Sequence, residues 1–340
     1  MQRDDSPRTA RAFAPGSIGN IGPGLDILGC AVTGAGDAVV ATRVATPGVR
    51  VDDPGHPDLP RDPTLHASAI AAAEVLRRWG QTRGQTRGQT GGQIRGQTSS
   101  LTPSLTPSLA PDFGVALTVE KGLPLAGGQG GSSASAVAGA LAVNALLDSP
   151  LDFDELLAAA LVAEERVAGR HLDNLAPALY GGIVLVRSID PIDVVRLPVL
   201  PQLRVVLVHP AQQLRTAESR AVLPRTLDRA VAFGQAANVA AMVAALGSGD
   251  LALLGRALDD RIAEPARAPL LPGFAAAKTA ALEAGAIGCS ISGAGPTAFA
   301  FAADEMSANR IALVMRDAYA ASGLAATTRV ERIDERGARV

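Results

Sequence analysis

The sequence predicts an α+β protein of two domains, the second on a split βαβ plan. Two observations carry this. Up to about residue 190, strand-like and helix-like segments alternate around glycine-rich loops. Beyond it the order is strand, helices, strand, strand, helix, strand, which is the order of a ferredoxin-like unit. Composition agrees with a soluble mixed fold: 47% of the 340 residues are apolar and only 3% aromatic, so Ala, Val and Leu carry the core. The domains are placed at 10–190 and 191–335.

Each element has its own signal. Residues 1–9 are polar, and 11–14 begin an apolar segment that runs into a Gly/Pro-rich loop from Pro15 to Gly29. Residues 37–51 alternate apolar and polar, as a half-exposed strand does. Ala, Ile, Val and Leu recur at helical spacing over 64–79. The degenerate repeat QTRGQTRGQTGGQIRGQTSS (81–100) and the Pro/Ser-rich stretch after it hold few apolar groups to offset ordering entropy. The span 81–111 is therefore predicted to be a mostly disordered surface insertion. A strand at 113–122, helices at 133–147 and 154–169, and a strand at 182–187 complete the first domain. The second has a strand at 203–210, helical segments over 216–262 and a helix at 273–284. Strands at 286–292 and 296–302 joined by Gly293-Ala294-Gly295, a helix at 305–321 and a strand at 326–332 finish it.

Charge and cysteine use exclude several classes. With 31 basic and 33 acidic residues the net charge is −2, which gives no general attraction for nucleic acid or an anionic membrane. Cys30 and Cys289 stand too far apart in sequence to suggest a disulfide framework, and two thiols alone do not make a zinc site. MQRDDSPRTARAFAPG has no uninterrupted apolar core, and no run of about 18 apolar residues escapes a charge, polar break or loop signal. These features predict a cytoplasmic protein.

The most informative segment is Pro124-Leu125-Ala126-Gly127-Gly128-Gln129-Gly130-Gly131-Ser132-Ser133-Ala134-Ser135, between a strand and a strongly helical run. Glycines let the backbone approach a ligand, and a helix N-terminus capped near Ser132 or Ser133 suits a phosphate group. A tight turn without a ligand would look the same. It is not a Walker A loop, since neither Lys121 nor Lys278 has that setting. It lacks the G-x-G-x-x-G spacing and fails the G-x-S-x-G elbow. Two further glycine segments, 14–29 and 290–299, add weight. Asn20 and Asp26 are polar groups in the first. Both residue types favour turns, but Asp26, between Leu25 and Ile27, reads better as a ligand group.

The three segments together resemble the GHMP kinase superfamily, the middle one its P-x-x-x-G-[LM]-G-S-S-A phosphate loop. Arg11–Gly29, His171–Gly182, Thr216–Arg220 with Leu223-Pro224, and Ile262–Arg267 with Leu271–Phe274 are similar to segments of its homoserine kinase branch. The similarity spans about 11–335 apart from the insertion. Departures are Gly19 for Ala, Leu25 for Phe, Gln129 for Leu or Met, and a stretch from Glu164 to His171 about one residue short.

The resemblance implies a two-domain GHMP kinase fold, with an N-terminal ribosomal-protein-S5-like domain and a C-terminal ferredoxin-like domain. It implies ATP and Mg²⁺, L-homoserine as substrate, and a homodimer. The loop 124–135 would hold the triphosphate. Ser132 or Ser133, with Glu164 or Glu165, would hold the metal. Asp26 would pair with the substrate ammonium, and Arg220 or Arg267 with its carboxylate. Asn20, Asn174, Thr216 and His171 would contact substrate or the moving phosphoryl group. Asp173 would act as base or orient Asn174.

Overall fold

The computed structural model describes residues 8–89 and 113–340, with side chains of 83–89 left aside. Two sheets organise the chain. The first holds β1 (Thr9–Gly19), β2 (Leu28–Val44), β3 (Gly48–Asp53), β4 (Gly114–Glu120), β5 (Ile183–Ile189) and β6 (Ile192–Leu197). Its order is β3-β4-β2-β5-β6, with β1 paired to β2. Helices α1 (Ala67–Gln89), α2 (Gly131–Asn144), α3 (Phe153–Val167) and α4 (Leu175–Tyr180) go with it.

The second sheet runs in the order β10-β7-β9-β8, built from β7 (Arg204–Pro210), β8 (Gly288–Ile291), β9 (Ala298–Ala302) and β10 (Ala326–Glu331). Around it lie α5 (Thr216–Ala221), α6 (Arg229–Ser248), α7 (Leu251–Ala257), α8 (Ala263–Arg267), α9 (Phe274–Glu283) and α10 (Glu305–Ala321). One face packs on α9 and α10 through Phe274, Ile311 and Met315. The other packs Phe299 and Phe301 against Met242 and Leu246 of α6 and Leu254 of α7.

Helix α2 is the central pillar of the first domain. Every residue from Ser133 to Asn144 is buried, which suits a helix apolar nearly all round. Its alanines and Gly139 allow close approach to α1: a Cβ on Gly139 would stand 2.6 Å from the Ser68 carbonyl oxygen. Helix starts follow local chemistry: Asp152, Asp228, Asp250 and Asp304 each accept a first-turn amide.

Several expectations shift. Both ends of the glycine-rich stretch 15–29 are strand, because Gly16–Gly19 pair with Gly29–Val32 and Leu28–Cys30 pair with β5. Only residues 20–27 remain as loop. The sequence predicts the domain change near 190. β6 pairs with β5 in the first sheet, so the chain changes sheet between Leu197 and Arg204. Residues 81–89 of the expected insertion continue α1; residues 90–111 lie outside the described residues. The helical stretch 216–262 is three helices. Helix α6 is long and apolar enough to resemble a membrane span. It is nonetheless tied to both domains: Gln235 donates to the Pro23 carbonyl in the 20–27 loop of the first at 2.8 Å and Asn238 to the Asp259 carbonyl of the second at 2.7 Å.

One buried charge cluster joins the sheet to the loop before α2. Asp37 on β2 is fully buried and pairs with Lys121. It also accepts from Ser135 Oγ at 2.6 Å and from the amides of Gly122 and Leu123 at 3.1 and 3.2 Å. Removing one partner leaves an uncompensated buried charge. Asp37→Ala is expected to cost about 3–5 kcal/mol, read as a lower urea midpoint with an unchanged m-value.

Candidate active site

The three glycine segments meet backbone to backbone. The Gly293 amide donates to the Gly19 carbonyl at 3.0 Å, and Asn20 Nδ2 donates to the Gly293 carbonyl at 2.9 Å. Ser292 Oγ donates to the Gly128 carbonyl at 2.6 Å, and the Ser17 amide to the Gln129 carbonyl at 3.1 Å. Such approaches leave no room for side chains. Gly130 has φ 67°, and a Cβ there would stand 2.1 Å from Ser17 Oγ. The cap of α2 is Gly130 itself, with no side-chain cap bond, and not Ser132 or Ser133. The first-turn amides of α2 are thus uncapped, as an anion site at a helix N-terminus requires.

Over this junction lies a cavity of about 340 Å³. Asn20, Glu164, His171, Asp173, Asn174, Thr216, Arg220 and Arg267 all line it, with most of the loop 124–135. Two loop residues do not: Ala134 is buried inside α2, and Gln129 faces the second domain. Asp26 reaches the cavity through Arg220, which grips both its carboxylate oxygens, one of them at 3.3 Å.

Hydrogen bonding shows how much of each side chain is free. Asn20 spends its amide on the Gly293 carbonyl and its oxygen on the Asp26 amide (2.9 Å), so it fastens loops together. Both Asn20 and Asp26 adopt positive φ, near 63° and 62°, so each is a turn residue, and of the two only Asn20 lines the cavity itself. Arg267 is 2% exposed and gives Nε and Nη1 to the carbonyls of Ser219 (3.3 Å) and Gly293 (3.0 Å), which leaves Nη2 for a ligand. Asn174 accepts from Ser17 Oγ at 2.9 Å through Oδ1; its Nδ2 has no partner among the described residues. His171 Nε2 lies 3.1 Å from the Ala168 carbonyl. Burial, then the Arg220 charge, holds its ring below the usual imidazole range.

Two buried carboxylates dominate the electrostatics. Glu164, 4% exposed, accepts from Ser132 Oγ at 3.3 Å and feels the Ser133 hydroxyl, while among the described residues its second oxygen and Ser133 Oγ make no hydrogen bond of ordinary geometry. Glu165 instead pairs with exposed Arg170 at 3.0 Å, outside the cavity. Burial pushes Glu164 up to about 7. Burial, then the Asp26 charge, raises Asp173 to about 7 as well. The Asp173 carboxylate accepts the Asn20 amide at 3.0 Å. Gly19 makes room for this: a Cβ there would stand 2.3 Å from Asp173 Oδ2 and 2.5 Å from Asn174 Nδ2.

Sequence reasoning missed Lys121 as a cavity group. Besides Asp37 it donates to the Gly131 carbonyl at 3.2 Å and to Ser135 Oγ at 3.0 Å, tying down the start of α2. Its signal was rarity: Lys121 and Lys278 are the only lysines. The apolar wall of Leu59, Pro60, Leu65 and Val167 carried no motif at all.

Residues 101–182 match the family described as GHMP kinases N terminal domain, and 242–321 match GHMP kinases C terminal. A homoserine kinase of Chlorobium phaeobacteroides is 37% identical over 322 residues, 92% of each chain. One of Arabidopsis thaliana is 38% identical over 343 residues, 98% of this chain and 84% of that one. The chain belongs to the homoserine kinase family of GHMP kinases. The crystal structure of a homoserine kinase from Cytophaga hutchinsonii superposes with a TM-score of 0.86 at 34% identity, covering 100% of this chain and 99% of that one. Against the GHMP loop pattern this chain holds one residue more between Pro124 and Ser132.

The raised Asp173 sets a pH dependence. A carboxyl neutral in the folded state but ionised when unfolded costs stability as pH rises from about 4 to about 7, and the full penalty persists above that range. Asp173→Asn is therefore expected to raise Tm more at pH 8 than at pH 5. Thermal scans at both values check it; an equal shift at both contradicts the assignment.

Proposed function

We propose that this chain transfers the terminal phosphoryl group of ATP to the hydroxyl of L-homoserine, giving O-phospho-L-homoserine for threonine biosynthesis. The observation that carries the substrate is the Arg220–Asp26 pair at the edge of the phosphate cavity. Homoserine is a zwitterion with an ammonium beside a carboxylate. It can enter the pair by exchange, its ammonium taking Asp26 and its carboxylate taking Arg220 in bidentate geometry. Arg267 Nη2 and Thr216 extend the same wall.

Phosphoryl transfer asks mainly for positioning and charge stabilisation. The uncapped amides at the start of α2 would hold the phosphates. The homoserine oxygen attacks the γ-phosphorus, the bond from that phosphorus to the β–γ bridging oxygen breaks, and ADP leaves. Asn174 Nδ2 and Arg220 would donate to the moving group. The hydroxyl proton needs an acceptor. Both buried carboxylates accept one hydrogen bond and both are raised to about 7. Glu164 stands beside Ser132 and Ser133, where the metal would bind, which leaves Asp173 as the acceptor at neutral pH.

The donor set also fits Mg²⁺. Among the described residues Ser133 Oγ and Glu164 Oε2 are buried oxygens beside the loop that make no hydrogen bond of ordinary geometry, of the kind a hard cation takes. No group of three His, Cys, Asp or Glu able to hold a metal occurs among the described residues. That suits an ion bound largely by nucleotide phosphates. When bound, it would supply charge neutralisation on the transferring group.

The test is ADP release from ATP–Mg²⁺ with homoserine, mevalonate, galactose, serine and threonine, for wild type and Asp26→Asn. Turnover is expected with L-homoserine alone, and Asp26→Asn is expected to raise KM for homoserine at least about tenfold with little change for ATP. Preference for another alcohol, or an unchanged homoserine KM in the variant, would refute the substrate assignment.

A further inference from the structure

We propose that Arg329, in the second domain, is a positioning residue for the phosphate loop and acts through Gln129. The inference rests on the kinase reading above. Gln129 is where this chain departs from the loop pattern, with a polar side chain in place of Leu or Met. It is also flanked by glycines at 127, 128, 130 and 131. Glycine runs carry the highest ordering entropy, so a loop of this kind needs anchors before it can present its amides to phosphate.

Gln129 is such an anchor. It is 5% exposed, and both ends of its amide are held by the second domain. Its Nε2 donates to Thr297 Oγ1 at 3.1 Å, and its Oε1 accepts from Arg329 Nη2 at 2.5 Å. Thr297 is fully buried, and its hydroxyl donates to the Gly127 carbonyl at 2.6 Å, two residues back along the loop. That hydroxyl proton is therefore spent. His209 Nδ1, 3.0 Å from the same oxygen, must be the protonated nitrogen of its ring. Burial, then the Arg329 charge, keeps that imidazole below its usual range.

The bonds run from Arg329 to Gln129, then Thr297, then back to the loop at Gly127. Gly128 and Gly130, either side of Gln129, hold left-handed φ of 70° and 67°. Arg329 itself lies outside the catalytic cavity. It lines a second cavity, of about 760 Å³, on the far side of the loop with His56, His209 and Gln212. It touches no ligand in the proposed reaction; its other charged neighbour, Glu331, lies 3.6 Å from Nη1 on the same strand, so Gln129 is its contact with the loop. Without it, the amide loses a charge-assisted partner and the loop is freer to leave its phosphate-binding shape.

The experiment measures the Kd of full-length protein for a non-hydrolysable ATP analogue with Mg²⁺ by calorimetry, with no alcohol present. The variants are Arg329→Met, Gln129→Met and the double. KM for homoserine and Tm are followed alongside. Each single variant is expected to weaken nucleotide binding about fivefold to twentyfold, and the double no more than the worse single, because both break one chain of contacts. Homoserine KM should stay within about twofold. Arg329→Lys, which keeps the charge, should recover part of the loss; it also serves if Arg329→Met does not fold. Equal Kd in wild type and the Arg329 variants overturns the proposal, as do single effects that multiply in the double. A wild type that binds no nucleotide would instead sink the kinase reading on which this one stands.

Discussion

The backbone junction of three glycine segments is the constraint on which the rest of the structure depends. Gly19, Gly128 and Gly293 come from distant parts of the chain, yet their carbonyls and amides lie within hydrogen-bond reach of one another or of a neighbour's side chain. Backbones can approach so closely only where no Cβ intervenes. The first two segments belong to one sheet domain and the third to the β8–β9 turn of the other, so the junction joins the domains as it builds the cavity.

Charge placement follows from that junction. Where backbone carbonyls crowd together, a buried cation can be satisfied without a carboxylate, and Arg267 uses two such carbonyls. Where amides crowd together, carboxylates settle: Asp37 under the start of α2 and Asp173 against the Asn20 amide. Glu164 lacks a full set of partners among the described residues, where its second oxygen makes no hydrogen bond at the cavity wall. Buried groups left unsatisfied in a native fold often mark where a ligand completes the structure.

Much of this was legible in the sequence. α10 falls at 305–321, as expected, and Asp304 caps its first turn. The residues that meet in the cavity follow from the resemblance, since a glycine loop taken alone fits a ligand-free turn equally well, while Asn174, Thr216, Arg220 and Arg267 sit in segments similar to the homoserine kinase branch. What was not legible depends on partners remote in sequence. The stretch 15–29 read as loop because glycine suppresses strand propensity, yet pairing of 16–19 with 29–32 and of 28–30 with 183–185 makes its two ends strand. β6 read as the start of the second domain because a sheet edge leaves no composition signal. Asn20 and Arg267 read as ligand groups, and only the fold shows how much of each is spent on carbonyls. Lys121 was visible but mute until Asp37, 84 residues away, appeared beside it.

The central claim is that one cavity at this junction holds the triphosphate on the α2 amides and the amino acid across Asp26 and Arg220. A crystal structure with a non-hydrolysable ATP analogue, Mg²⁺ and L-homoserine tests it most directly. The account predicts phosphate oxygens on the amides of Gly131 to Ser133, and an Asp26–Arg220 pair opened by the ammonium and carboxylate of homoserine. A triphosphate bound elsewhere, or homoserine bound beside an intact Asp26–Arg220 pair, would contradict it.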